Sequence, residues 1–168
     1  MSLFPLARFE SIELETANAA LSAWQHFLGE FDRPFGYQPF GLYVDDELVT
    51  VAVSASTINS TCGGWPRRRV VELARLCSAP QHRWATRVGL RLWRVLAPRE
   101  WTREYWSVDA VVSYANAARH SGDIYRFDGW RKVADVRPSG AGGTWARQKG
   151  ERKSVWVYEL RARLEATA

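Results

Sequence analysis

Histidine, methionine and cysteine are scarce. The chain has three His, one Met and two Cys in 168 residues. Cys62 and Cys77 stand alone, with no Cys-x-x-Cys pair and no His/Cys spacing of a zinc site, so no metal is expected. One disulfide is the most they allow, and a reduced cytoplasmic protein is the expectation. No apolar run approaches the ~20 residues that span a bilayer, and the N-terminus lacks the basic start and apolar core of a signal peptide. No membrane association is therefore expected. Internal repeats and low-complexity tracts are lacking too, which excludes solenoid and fibrous architectures.

What is present describes one ordinary globular domain over residues 1–168, with 46% apolar and 24% charged residues. Two features stand out. Tryptophan is abundant, at nine residues, and the net charge is +5. A basic surplus favours acidic partners, nucleic acid or a phosphate-bearing cofactor, although modestly basic domains are also common. Large indoles are hard to bury completely, so some are expected at a surface or pocket.

Hydrophobic periodicity gives the element order. Ala7–Leu14 reads as a weak strand. Thr16 caps a helix from Ala17, with Ala20, Leu21, Trp24 and Leu28 at helical spacing and Gly29 closing it. Phe40–Val44 and Leu48–Ser54 flank Asp45-Asp46 as a hairpin. After an irregular connector comes a strand, Val70–Cys77, apolar except for Glu72 and Arg75. Three apart on a strand, those two are expected to face opposite sides of the sheet. A helix follows from Trp84 to Leu96 and is stopped by Pro98. Its Arg87, Arg91 and Arg94 form a stripe that reads as a solvated face or a ligand contact. Val108–Tyr114, Trp130–Val136 and Ser154–Leu160 are further strands. Residues 137–153, rich in glycine and basic residues, read as a mobile loop.

A strand that runs into a loop and a helix N-terminus is a natural anion site, because free N–H groups and the helix dipole both favour phosphate. Cys77, Ser78, Arg83, Ala85, Thr86, Arg87 and Val88 occupy that position. The alternative is a plain strand–helix connection. Tyr125 is a candidate core tyrosine. Glu72 is a candidate base or half of an ion pair with an arginine. His120 is a candidate base or a hydrogen-bonding residue at a helix entry.

Taken together, the stretch Glu72-Leu73-Ala74-Arg75-Leu76, the loop from Ala79 to Val88, Val111-Val112-Ser113-Tyr114-Ala115, and His120-Ser121-Gly122-Asp123-Ile124-Tyr125 followed by Gly129-Trp130 resemble the acyl-transferring core of the GNAT acetyltransferases. The order of the motifs is most similar to the phage Mom branch, whose members modify adenine in DNA. The resemblance covers Val70 to Trp130. Arg83 matches the start of the family's Arg/Gln-x-x-Gly-x-Gly/Ala loop, with Thr86 and Val88 where the glycines stand.

The resemblance implies an α/β GNAT-like fold, with a mixed, mostly antiparallel sheet, helices on both faces, and strands splayed near Cys77 and Tyr114. It implies acetyl-CoA or a related acyl-CoA as cofactor. Tyr125 would protonate the departing thiolate and Glu72 would deprotonate the amine, with Arg75, Ser113, Tyr114 and His120 lining the pocket. Asn116 would cap the short helix before Tyr125, with Ser121 and Asp123 as competitors. DNA is then the expected partner of a monomer or homodimer. Arg67, Arg68, Arg69, Arg147 and Lys149 would hold its phosphates, and Trp65 and Trp145 would stack on bases. Two other functions compete. One is an N-acetyltransferase of a small amine or protein; the other is a non-catalytic nucleic-acid-binding module on the same scaffold.

Overall fold

A computed structural model describes residues 6–136 and 151–160. The strands are β1 (Ala7–Ser11), β2 (Tyr37–Val44), β3 (Glu47–Ala55), β4 (Thr61–Cys62), β5 (Trp65–Pro66), β6 (Val70–Ser78), β7 (Ala110–Asn116), β8 (Arg131–Val136) and β9 (Lys153–Glu159). The helices are α1 (Leu14–Ala23), α2 (Ala85–Glu104) and α3 (Asp123–Phe127). Seven strands form one sheet in the order β1-β2-β3-β6-β7-β9-β8, and β4 and β5 make a separate small hairpin. Every neighbouring pair in the large sheet is antiparallel except β6 and β7. Parallel neighbours need a long crossover, and α2 supplies it.

The β2–β3 turn follows from its residues. Asp45 and Asp46 both sit at positive φ, 48° and 66°. Such a turn matches the twist of the flanking strands, and aspartate tolerates it. Along β3, Val51 and Val53 pack with α1 residues. On the other face Ser54 accepts a 2.9 Å hydrogen bond from Trp93 of α2. Gly89 lets α2 settle on the sheet: a Cβ there would stand 2.7 Å from the Thr50 methyl.

Three expectations need correction. Helix α1 begins at Leu14 rather than Ala17 and ends at Ala23, so Thr16 lies inside it and Leu28 beyond it. Glu13 precedes the helix without a side-chain cap. Pro98 does not end α2; the helix continues to Glu104. Proline removes one backbone bond at a cost of about 3 kcal/mol, and the full burial of Ala97 and Trp101 around it offsets that cost. Finally, Glu72 and Arg75 do not diverge. Leu73 pairs with Ser54 and Arg75 with Val53, so Ala74 is an extra residue in β6. Such a bulge reverses the alternation beyond it. Both side chains consequently bond residues of the loop that follows α1.

Two of the three arginines on the α2 stripe, Arg91 and Arg94, are anchored rather than simply solvated. Asp128, just after α3, accepts hydrogen bonds from Arg94 Nε at 2.6 Å, Trp130 Nε1 at 3.0 Å and Arg91 Nε at 3.2 Å. This knot ties α3 to α2. Burial works against ionisation of Asp128, but the hydrogen bonds from Arg94, Trp130 and Arg91 outweigh it and hold the carboxyl below its ordinary value. A depressed folded value means that the contribution is complete above the unfolded value of about 4 and fades as pH falls through the folded one. Asp128→Asn should therefore cost about 2 kcal/mol at neutral pH. Thermal melts of the two proteins should converge in strong acid; a gap that persists or widens there contradicts the assignment.

Candidate active site

The parallel pairing of β6 with β7 is short. It joins Val70–Leu73 to Ala110–Ser113 and then stops, although β6 runs on to Ser78 and β7 to Asn116. Beyond Leu73 and Ser113 the strands diverge, and the gap opens into two adjoining cavities. One, of about 660 Å³, runs from the N-terminal end of α2 to α3 and is lined by Arg83, Thr86, Arg87, Ser113, His120 and Tyr125 among others. The other, of about 540 Å³, lies toward the loop that follows α1 and is lined by Asp32, Arg33, Phe35, Arg67 and Glu72. Leu28, Leu73, Ala74, Arg75, Tyr114 and Lys153 line both, so they form the junction.

Tyr125 is buried at the base of the first cavity. Its ring stacks on Trp156 with centroids 5.6 Å apart and meets Trp130 edge-on at 5.3 Å. The Tyr125 hydroxyl lies 2.9 Å from Ser113 Oγ, which donates to the Leu73 carbonyl at 3.3 Å. Since Ser113 has one proton and directs it at Leu73, Tyr125 is the donor of the pair. Burial raises the Tyr125 pKa against the opposing Ser113 hydrogen bond, so the phenol keeps its proton at neutral pH. Gly122 enters α3 at φ 80°, and a Cβ there would sit 2.2 Å from Trp156. The approach of α3 to β9 therefore requires glycine.

Glu72 forms a two-pronged ion pair with Arg33, both contacts at 2.8 Å. Each carboxylate oxygen keeps a further lone-pair direction for a substrate or water. Arg75 donates to the carbonyls of Gly29, Glu30 and Ala74 at 3.1, 3.1 and 3.0 Å. Burial and the neighbouring Arg33 bring its pKa down to about 10. Tyr114 OH lies 2.8 Å from Cys62 Sγ. Burial keeps both protonated, with Cys62 pushed up to about 11 and Tyr114 raised further. Neither cysteine is in a disulfide.

At the phosphate-loop position the predicted residues separate. Arg83, Thr86 and Arg87 line the first cavity. Thr86 turns its hydroxyl back to Ser78 at 2.8 Å, and Ser78 in turn lies 2.7 Å from Thr50. Ser78, Cys77, Ala85 and Val88 do not line the cavity. Cys77 packs toward α1 with Leu21 and Val51, Ala85 is buried against Leu42 and Val49, and Val88 is exposed. Asn116 does not cap α3. Its Oδ1 accepts from Ala118 N at 2.9 Å and its carbonyl accepts from Arg119 and His120, shaping the turn that delivers His120 to the cavity. Ser121 is nearer to a cap, accepting from Asp123 N at 3.4 Å.

Of the residues predicted to meet nucleic acid, Arg75 and Arg67 line the second cavity. Arg67 also binds the carbonyls of Asn59 and Ile58. Arg68 is exposed, whereas Arg69 is committed to Asp109. Trp65 packs, half-buried, on Cys62, Val70 and Val112 instead of standing free to stack. Trp145, Arg147 and Lys149 lie outside the described residues.

Four lining residues escaped the sequence reading. Arg33 reaches Glu72 from a loop 39 positions away. Lys153, assigned to a loop, is instead the buried first residue of β9. His26 lines the first cavity, and burial, Arg75 and His120 lower its pKa to about 4, so its ring is neutral. Its Nδ1 accepts from Leu28 N at 3.3 Å, which places the ring proton on Nε2. Arg119 lies over the Phe27 ring at 3.7 Å, bridging the crevice between the loops after α1 and β7. Among the described residues there is no His/Cys/Asp/Glu cluster suited to a metal, and no helix long and apolar enough to cross a membrane.

Comparison of the sequence with protein-family models and with curated proteins gives no match. Comparison of the fold is informative. The chain is similar to the ribosomal-protein-S18-alanine N-acetyltransferase of Escherichia coli, at 12% identity over 92% of this chain and 94% of that one, with a TM-score of 0.61. It is similar to Arabidopsis thaliana NAA60, solved with acetyl-CoA, at 10% identity over 94% and 100% with a TM-score of 0.64. The spermidine N-acetyltransferase of Vibrio cholerae, solved with CoA and spermine, matches at 10% identity over 91% and 95% with a TM-score of 0.60. The architecture is thus the GNAT acyl-CoA N-acyltransferase fold, a seven-stranded mixed sheet splayed between its two parallel strands.

Proposed function

We propose that the protein transfers an acyl group from an acyl-CoA to an amine. One observation carries this reading: a buried tyrosine hydroxyl at the base of a crevice opened by two diverging parallel strands, with arginines at the helix end of the same crevice. The residues suit coenzyme A. Arg83, Arg87 and Arg119 offer charge for its phosphates, and the uncapped start of α2 adds N–H donors. The bound thioester would supply an activated acyl group. In this reading the amine enters through the second cavity and gives its proton to Glu72 or to water held there. Tyr125 gives its phenolic proton to the sulfur that the amine displaces. Ser113 would then turn its own proton from Leu73 to the phenolate oxygen of Tyr125.

The same reading predicts the effect of the loop arginines. Arg83→Ala and Arg87→Ala should each weaken CoA binding about tenfold by calorimetry, the loss of one charge-assisted contact apiece. The deficit should shrink in high salt. Unchanged affinity in both variants would remove the phosphate site from this end of α2.

A narrower reading takes the acceptor to be an exocyclic amine of a nucleobase in DNA, in keeping with the Mom-like motif order. The cationic lining of the second cavity, Arg67 among it, supports it. Such an amine is a weak nucleophile, and the base would have to leave the duplex to reach Glu72. Mass analysis of nucleosides from DNA of cells expressing the protein tests this directly. A new modified nucleoside, lost in Tyr125→Phe, supports it. Unmodified DNA alongside acetylation of small amines returns the function to the broader reading, and salt-sensitive DNA binding with no transfer of any kind would leave a binding module.

A further inference from the structure

An exposed aromatic ring stands at the rim of the first cavity. Phe127, the last residue of α3, is 66% exposed. Leaving such a ring in water forgoes the gain from covering it. Two guanidinium groups flank it, those of Arg87 and Arg126, each 5.9 Å from the ring centroid. Arg87 also lines the cavity, so the ring lies just beyond the cavity's arginine end. Arg126 is held by Asp123, whereas Arg87 makes no ion pair among the described residues. The backbone beneath the ring is fixed as well. Asp128, the next residue, accepts hydrogen bonds from Arg91, Arg94 and Trp130. The chain thus presents a rigid aromatic platform with cations at its sides, next to the cavity that holds Tyr125.

We propose that Phe127 is the seat of the donor's adenine ring, so that the protein reads the nucleotide end of an acyl-CoA and not only its thioester arm. The inference rests on the acyl-transfer reading for the identity of the donor. A base stacks favourably on an aromatic face, and the phosphates joined to that base suit the Arg87 guanidinium beside it. An acyl group borne on the phosphopantetheine arm of a carrier protein offers the same thioester with no base to stack, and should be the poorer donor. A phenylalanine exposed by chance is an ordinary surface feature and would make no such selection.

The test is calorimetric titration of CoA, 4′-phosphopantetheine and adenosine 3′,5′-bisphosphate into the protein. In Phe127→Ala, CoA and the bisphosphate should each bind about tenfold more weakly, with phosphopantetheine within about twofold of the original. Phe127→Trp keeps a ring and should bind all three within about threefold of the original. Salt separates the ring from the cations: the Phe127→Ala deficit should persist at high salt, whereas that of Arg87→Ala should shrink. Phe127 lies outside the core, so these variants keep the fold. Unchanged CoA affinity in Phe127→Ala, an equal loss for phosphopantetheine, or a bisphosphate that does not bind would overturn the inference. So would a single-stranded oligonucleotide that binds through Phe127 more tightly than CoA, because the platform would then read nucleic acid. If the affinities change as stated but no thioester is ever consumed with any amine, the acyl-transfer reading falls alone and the nucleotide seat stands.

Discussion

Tyr125→Phe should lower kcat about a hundredfold or more, the usual contribution of a positioned general acid. Affinity for acetyl-CoA should stay within about twofold of the original, because the proton is needed only as the C–S bond breaks. The fold should survive. The lost hydroxyl is the donor to Ser113, and Ser113 keeps its bond to the Leu73 carbonyl, so no buried donor is orphaned. The cost is about 1 kcal/mol. A merely structural tyrosine would be insensitive to the leaving group. A general acid is not: a thioester of a more acidic thiol needs less help, so the deficit should narrow with such a donor. An unchanged kcat, or a deficit equal for all donors, would return Tyr125 to the core it shares with Trp130 and Trp156.

Glu72 and Arg33 carry the second large effect. Their side chains are only 5% and 15% exposed. Removing one charge from such a pair strands the other and costs about 3–5 kcal/mol, far more than loss of a surface bridge. Glu72→Gln should therefore lower stability by that order in denaturant titrations. The double variant Glu72→Leu/Arg33→Met removes both charges and should recover most of the loss, because a buried pair is often no better than apolar side chains of similar volume. Activity separates the two roles of Glu72. As the base it leaves the double variant folded but with kcat/KM reduced about a hundredfold. Full activity in the stable double variant would make Glu72 a structural partner only.

Much of the fold was legible in the sequence because its strands are β-branched runs of ordinary length. Val70 to Cys77 and Val108 to Tyr114 read as strands whatever surrounds them, and the Asp45-Asp46 turn announces its hairpin. The family resemblance over Tyr125–Trp130 marked Tyr125 as a candidate, and Tyr125 lines the first cavity. What the sequence concealed depends on tertiary contacts. Nothing local marks Ala74 as a bulge, yet that single extra residue swings Arg75 to the side of Glu72. Proline ordinarily ends a helix, and only the burial of Trp101 beyond it explains why α2 continues. Arg33 and His26 sit in irregular chain after α1, where no periodicity assigns a direction. Lys153 looked like one more charge in a basic loop, and its burial follows only from the pairing of β9 with β7 at Asn116.

The crevice between β6 and β7 is the centre of this account, and a crystal structure of the protein with bound CoA tests it most directly. The account predicts the pyrophosphate against Arg83 and Arg87 at the start of α2, and the thiol sulfur within hydrogen-bonding reach of the Tyr125 hydroxyl. CoA held on another face, or a sulfur walled off from Tyr125 by closed strands, would contradict it.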